Sequence, residues 1–196
     1  MPKIVDKQLM EKRIIFSALS AFLKYGFHKT TMNQIAEEAN IAKGTLYLYF
    51  KSKDMLIKKI TTLHFEKLLD KLIQEKYFQT LDDLLEHLKS VLLISDDESR
   101  FIPIFFEVFG FQFSSELFMQ DYKNLFNKVG YFYSENFKLL IKNKQIKKEI
   151  NPDTLGRVLI SMIDGVILHK GFFQIDKQLY SIMVDDMINL FKSGLY

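Results

Sequence analysis

The sequence predicts an all-α protein of about nine helices, and three observations lead to that prediction. Apolar residues recur at intervals of three and four along almost the whole chain, which is the period of helices with one buried face. We find no convincing hairpin dipeptide and no alternating run of strand residues. Apolar residues make up 48% of the 196 residues, with only eight Gly and three Pro. Such a composition is typical of a folded globular chain.

The first three predicted helices are short and follow one another closely. The first spans Lys7–Tyr25, and Gly26 suits its C-terminal cap. The second covers about 31–39 and begins with a Thr-x-x-Gln capping box. The third covers Lys43–Phe50, after a turn of about three residues in which Asn40 favours a left-handed backbone. This spacing predicts a DNA-reading helix-turn-helix.

Six further helices complete the predicted fold. Ser52 is a good N-cap for the first of them, and Asn151-Pro152-Asp153 is a strong start signal for the fifth. They are expected at about 52–76, 80–94, 99–113, 115–143, 151–170 and 176–192.

Positive charge is concentrated in the N-terminal third. Residues 1–60 contain eleven Lys or Arg against five Asp or Glu, whereas residues 61–196 contain sixteen against nineteen. The net charges are therefore +6 and −3, which favours a polyanion as the partner of the N-terminal part.

The third helix has an outer face suited to a DNA groove. On a helix, Leu46 and Phe50 point into the core. Gly44, Thr45 and Leu48 lie opposite them, with Tyr47 and Tyr49 on the two sides. Gly44 removes bulk where the helix approaches the groove floor, Thr45 offers a hydroxyl, and Leu48 can meet a thymine methyl. The alternative is that Leu48 packs against a neighbouring element.

Phosphate contacts are expected around this face. Tyr47 and Tyr49 have hydroxyl groups that can reach phosphates or base edges, and their alternative role is packing. The predicted cationic contacts are Lys43, Lys51 and Lys53, and Thr31 opens a helix whose amides can bind phosphate.

Several classes of function are not expected. Without Cys there is no disulfide and no thiolate metal site. The four His residues lack metal-ligand spacing, and no catalytic motif is recognised, so we expect neither an enzyme nor a cofactor. The start of the chain lacks the apolar core of a signal peptide, and the most apolar stretch, 101–113, is too short to span a bilayer. A cytoplasmic protein is predicted.

Residues 30–56, TTMNQIAEEANIAKGTLYLYFKSKDML, resemble the N-terminal signature of the TetR family of bacterial transcriptional regulators. The resemblance covers about 7–60, and a weaker one at 145–171 is similar to the stretch leading into the family's eighth helix. Asn40 replaces the usual turn glycine, and Met55 stands where many members have Glu. The resemblance implies a DNA-binding domain at 1–51, a regulatory, ligand-binding and dimerisation domain at 52–196, and a ligand-responsive repressor of a pseudopalindromic operator.

The resemblance also implies a homodimer formed through the last two helices and a cavity for a small hydrophobic or aromatic effector. Interface candidates are Met162, Val166, Met183 and Met187; burial inside one subunit is the alternative. Cavity candidates are Phe101, Phe105, Phe109, Tyr122 and Phe126, which could instead be plain core. Glu107 is a candidate polar anchor, and Asp164 fits either an interface or a cavity.

A different class of function stays open from the sequence alone. A Phe-rich helical body with a basic face could bind lipid or a membrane surface without reading DNA. Salt dependence and sequence preference of duplex binding would separate the two hypotheses.

Overall fold

The computed structural model describes residues 7–112 and 115–195, apart from the side chain of Phe111. The all-α prediction is confirmed. The helices are α1 Lys7–Tyr25, α2 Met32–Glu38, α3 Lys43–Tyr49, α4 Lys53–Leu72, α5 Leu81–Leu92, α6 Asp96–Arg100, α7 Ile102–Gln112, α8 Glu116–Lys142, α9 Pro152–Phe173 and α10 Lys177–Leu195. None of the helices in these ranges has the length and apolar character needed to cross a membrane.

The region predicted as one helix over 99–113 contains the end of α6 and the whole of α7. Ser95 caps α6 in a reciprocal capping box with Glu98. Pro103 has no backbone N–H to continue the helix from α6 and instead occupies the first turn of α7, where none is needed. The break was not predicted because apolar residues continue on both sides of Pro103.

The chain divides into two compact units. The first contains residues 7–65 together with 103–112, and the second contains 66–102 together with 115–195. The boundary between the two compact units thus lies within α4, whereas the predicted domains divide at residue 51. That domain division stays a prediction about function.

In the first unit, α1 packs on α2 and α2 on α3. The core side chains are fully buried, because each of these amphipathic helices turns its apolar face inward. They include Ile14, Phe22, Ile35, Leu46, Leu56 and Ile57.

Glu107 of α7 binds the turn after α1 within this unit. Its Oε2 accepts a hydrogen bond from the Phe27 backbone N–H at 3.4 Å, and its Oε1 lies 3.8 Å from His28 Nε2. The sequence predicts Glu107 as a candidate anchor for an effector. In the structure, this carboxylate instead links α7 to the turn after α1 through its contacts with Phe27 and His28.

In the second unit, α8 and α9 form a closely packed antiparallel pair. A Cβ atom added at Gly156 would lie 2.7 Å from both the Gly130 carbonyl oxygen and Ser134 Oγ. Glycine is therefore required where the two backbones meet. The pair is fixed in register by this contact and by the Arg157 Nη2–Asn127 Oδ1 hydrogen bond of 3.4 Å.

Lys170 ties three elements of the second unit together. The side chain is only 3% exposed, and its ammonium donates to Asp96 Oδ1 at 2.5 Å and to the Ile175 carbonyl. This bond holds the pKa of the Asp96 carboxyl below its usual value. A buried cation paired with a carboxylate and a backbone carbonyl is a structural group here.

Candidate nucleic-acid interface

The turn between α2 and α3 has the geometry that its sequence predicts. Thr31 caps α2 in a full capping box with Gln34: the Thr31 hydroxyl accepts from the Gln34 N–H, and the Gln34 side chain accepts from the Thr31 N–H. Asn40 has φ 49°, the left-handed region expected for it. Its neighbour Ile41 donates to the Ala36 carbonyl at 3.0 Å, which closes the turn.

The inner face of α3 is anchored in the core. Leu46 is 0% exposed and Phe50 is 5% exposed. They pack in the unit whose other buried residues include Ile35, Ala36 and Ala39 of the α2 region. With two anchors one turn apart, the opposite face of α3 has a fixed direction.

We name that opposite face the reading face: Gly44, Thr45 and Leu48, flanked by Tyr47 and Tyr49. Leu48 is 77% exposed, and a Cβ atom added at Gly44 would meet nothing within 4 Å. The alternative in which Leu48 packs against a neighbouring element is therefore wrong for the described chain. Tyr47 and Tyr49 are half-buried on either side of it, so apolar and hydroxyl groups are presented together on one accessible face of α3.

Two of the predicted cations lie free to reach a phosphate. Lys43 and Lys51 are exposed, one at the start of α3 and the other just after it. Lys43 Nζ lies 5.9 Å from the centre of the Tyr47 ring, so a cation and a phenol are presented side by side.

Lys53 differs from these two. Its ammonium donates to the Phe27 carbonyl and lies 4.2 Å from the centre of the Phe27 ring and 5.7 Å from that of Phe22. Partial burial lowers the pKa of Lys53, and the Glu107 charge opposes that shift. A phosphate contact by Lys53 would have to replace bonds that it already makes inside the unit.

The predicted cavity aromatics fall into separate groups. Phe105 stacks on His64 at 4.1 Å between ring centres, and Phe109 lies 5.9 Å from Phe105. In the second unit, Tyr122 and Phe126 are 4.7 Å apart on one side of α8. Phe101 is half-buried between α6 and α7.

Tyr122 and Phe126 border an open groove of about 460 Å³ along α8. Its other lining residues are Glu116, Met119, Gln120 and Lys123. Its volume is within the range of small-molecule sites.

The predicted interface residues are only partly available on a single chain. Met162, Val166 and Met183 are half-buried, and Met187 is 8% exposed and packs within its own subunit. More exposed apolar side chains on the same two helices are Val158 at 50%, Ile182 at 50% and Leu190 at 72%. These three are not among the interface residues predicted from the sequence.

Comparison with known proteins connects this geometry to a family. Residues 14–60 match the family described as "Bacterial regulatory proteins, tetR family". The chain is 26% identical to the HTH-type transcriptional regulator YfiR of Bacillus subtilis, over 88% of this chain and 87% of that one. It is 28% identical to IcaR of Staphylococcus aureus, a negative transcriptional regulator of the biofilm operon icaADBC, over 65% and 71% of the two chains.

A solved TetR transcription regulator from Haloarcula marismortui has the same fold. Its TM-score is 0.79 at 15% identity, covering 96% of this chain and 98% of that one. The family match runs from within α1 to the first two turns of α4 and therefore contains the whole reading face. The chain belongs to the TetR family of bacterial transcriptional regulators, and it is a DNA-binding regulator of transcription.

Proposed function

We propose that this protein is a ligand-responsive repressor that binds a pseudopalindromic operator as a homodimer in the cytoplasm. The observation that carries the proposal is the reading face: Leu48 is 77% exposed, and Gly44 leaves open space around the start of α3. Thr45 and Leu48 meet base edges in the major groove, and Tyr47 and Tyr49 bind at its rim.

The phosphate contacts in this proposal come from Lys43 and Lys51, which are exposed beside the reading face. Thr31 contributes through the amides at the start of α2, since its own hydroxyl is used in the capping box. Lys53 supports the DNA-binding surface from inside the unit, through the hydrogen bond that it donates to the Phe27 carbonyl.

Dimerisation is supported by the exposed apolar surface of α9 and α10. One reading face covers only a few base pairs, so a specific site requires a second copy. Val158, Ile182 and Leu190 form the part of this surface that a partner would bury, with Met162, Val166 and Met183 beside them. Met187 lies beneath this surface and supports it, because its side chain is already packed in its own subunit.

Release from DNA requires an effector that binds one conformation of the protein more tightly than the other. The groove along α8, with Tyr122 and Phe126, is the site we favour for a small hydrophobic or aromatic effector. Repression is supported by the similarity to IcaR, which is a negative regulator.

Selection of bound duplexes from a random pool tests this function directly. We expect a two-fold symmetric consensus, since two identical reading faces contact it. In gel shifts on that consensus, Leu48→Ala should change the preferred bases, whereas Leu93→Ala, at a leucine 42% exposed in the other unit, should not. A pool that yields no preferred sequence, with retention driven by charge alone, would contradict the proposal.

A further inference from the structure

Three apolar side chains form an exposed line along α1. Leu9, Phe16 and Leu23 are 68%, 69% and 43% exposed, whereas Ile14 and Phe22 of the same helix are fully buried. The three are seven residues apart, so they lie within an arc of about 40° and extend over about 21 Å. We name this line the α1 stripe. It belongs to the compact unit that carries the reading face and contains none of the residues of that face.

The spacing of the α1 stripe is the same in both directions along the helix. It consists of Leu, six residues, Phe, six residues and Leu. One exposed apolar residue is ordinary on a protein surface, but a line with a seven-residue period is the seam along which two helices pack. A second α1 that lies antiparallel on the stripe places Phe16 on its own counterpart and Leu9 on Leu23 at both ends. A two-fold contact requires this self-complementarity.

The charges on one side of the stripe are also complementary to a second copy. Arg13 and Ser20 lie on that side, at about 60° and 40° around the helix from Phe16. Ser20 Oγ donates to Glu38 Oε1 of α2 at 3.0 Å, and the Glu38 side chain is 29% exposed. In an antiparallel two-fold pair, each side of the stripe meets the same side of the copy. Arg13 therefore comes beside Ser20 and Glu38 of the second copy, and two such pairs form.

The other side of the stripe brings no like charges together. Lys12 and Leu19 lie there, at about 40° and 60° from Phe16, so the aliphatic part of Lys12 lies along Leu19 of the copy. A second copy supplies both signs of charge to this surface. An anionic lipid surface would attract Lys12 and the other cations but would repel Glu38.

We propose that two copies of this chain pair through their α1 stripes, antiparallel and about a two-fold axis next to Phe16, with Arg13 of each copy beside Glu38 of the other. The pairing requires only α1 and α2. It is therefore separate from dimerisation through α9 and α10, and it holds whether or not the chain binds an operator. A chain that uses both surfaces assembles beyond the dimer.

The chain has no cysteine, so single introduced cysteines test the arrangement directly. A mixture of Leu9→Cys and Leu23→Cys chains should form a disulfide between the two variants on mild oxidation, because the antiparallel pair brings these positions together. Leu9→Cys alone should not, since its two copies are about 21 Å apart in that pair, which is beyond the reach of a disulfide. Tyr131→Cys, 64% exposed in the other unit, measures linkage by random collision. Non-reducing electrophoresis gives the yields.

Sedimentation velocity without DNA measures the association itself. Phe16→Lys should weaken self-association of the chain at least about tenfold, because it places two ammonium groups at the two-fold axis. Phe16 is exposed, so the melting temperature should be unchanged. Tyr131→Lys, at a similarly exposed aromatic residue, is the matched control and should associate as the wild type does.

A charge reversal tests the predicted ion pair. Arg13→Glu should weaken association by about tenfold, because it brings two carboxylates together, and Arg13→Glu combined with Glu38→Arg should recover most of the loss. A double variant that associates no better than Arg13→Glu alone would contradict the predicted orientation.

Several results would overturn the pairing. Leu9→Cys linking to itself as efficiently as to Leu23→Cys, or Phe16→Lys sedimenting as the wild type does, would exclude it. So would phosphatidylglycerol vesicles that retain the wild type but not Phe16→Lys, with equal sedimentation of the two, because lipid would then cover the stripe. The link between positions 9 and 23 should persist when Leu190→Lys disrupts the apolar surface of α10. Its loss there would mean that α1 makes no separate contact.

Discussion

The space around glycine differs between the reading face of α3 and the seam where α8 packs on α9. At Gly44 an added Cβ atom would meet nothing within 4 Å, whereas at Gly156 it would lie 2.7 Å from a backbone carbonyl oxygen. Gly156 is explained by the fold of the chain itself. Gly44 is not, and it stands in a helix where glycine costs up to about 1 kcal/mol relative to alanine.

The same contrast holds for the side chains beside these glycines. Leu48, on the reading face with Gly44, is 77% exposed, whereas Ser134 near Gly156 is 4% exposed. A single open glycine or a single exposed leucine is common on a protein surface. It is their occurrence together on α3, inside the family match, that a DNA partner explains.

The variant expected to have the largest effect is Gly44→Leu. The leucine has room on the free protein, so the melting temperature should be unchanged or slightly raised. In the groove it occupies the space of the base edges, and affinity for the selected duplex should fall by at least about 100-fold, or about 3 kcal/mol. Gel shifts and thermal unfolding measure the two quantities.

Gly110→Leu is the control for Gly44→Leu. It lies in the same compact unit and its added Cβ also meets open space, but it is outside α3. Its duplex affinity should match the wild type. Equal loss of affinity in both variants would show that leucine disturbs the unit rather than the groove contact.

Gly156→Ala should have the largest effect on stability. The methyl group forces α8 and α9 apart at the Gly130 carbonyl, and we expect a loss of about 2 kcal/mol in the free energy of unfolding. Gly165→Ala, on the same helix with open space, should be neutral or gain up to about 1 kcal/mol. Urea unfolding of both variants measures the difference, and equal stabilities would mean that the seam is not close-packed in solution.

The sequence predicted the helix-turn-helix in detail because its signals are local. The Thr31 capping box, the left-handed Asn40 and the inward Leu46 depend on neighbours within a few residues, and each was confirmed. These local features determine where the outer face of α3 points, so the reading face followed from them.

The features that the sequence could not predict depend on distant residues. Glu107 and Lys53 both act on the turn at Phe27, from 80 and 26 residues away. From the sequence alone, Lys53 could not be distinguished from the exposed cations Lys43 and Lys51. Its partner is a backbone carbonyl, and no residue type indicates such a partner. Asp164 stayed ambiguous for the same reason, since only the α8–α9 register brings it to Tyr122.

Lys51 and Lys53 are only two residues apart, but one is exposed and the other is bonded inside the unit, so their substitutions should have different effects. Lys51→Ala should weaken specific and random duplexes alike and reduce the slope of log affinity against log salt by about 0.9 for each subunit, or about 1.8 for the dimer. Lys53→Ala should instead lower the free energy of unfolding by between about 1 and 2 kcal/mol, because its bond to the Phe27 carbonyl is lost.

The slope of log affinity against log salt for Lys53→Ala decides between these two roles, and it should be measured well below the melting temperature of the variant. It should equal the slope of the wild type. A slope reduced as much as in Lys51→Ala, with unchanged stability, would mean that the Lys53 ammonium leaves Phe27 and binds a phosphate as the sequence analysis first predicted.

Asp164→Asn should have the smallest effect, and the size of that effect depends on pH. The pKa of Asp164 is about 6 in the folded chain against 3.8 for an exposed aspartate, so the folded state binds more protons between these values. Stability therefore falls as pH rises from about 4 to about 6, and the cost is complete above that range. Two pK units set an upper bound of about 3 kcal/mol, which partial access to solvent reduces to of order 1 kcal/mol.

Removing the charge should remove this cost. At pH 8, Asp164→Asn should be more stable than the wild type by up to about 1 kcal/mol, and at pH 4 the two should unfold together. Asp121→Asn, at an exposed site on α8, should match the wild type at both pH values. A variant that is less stable than the wild type at pH 8 would mean that the carboxylate already has a stabilising partner.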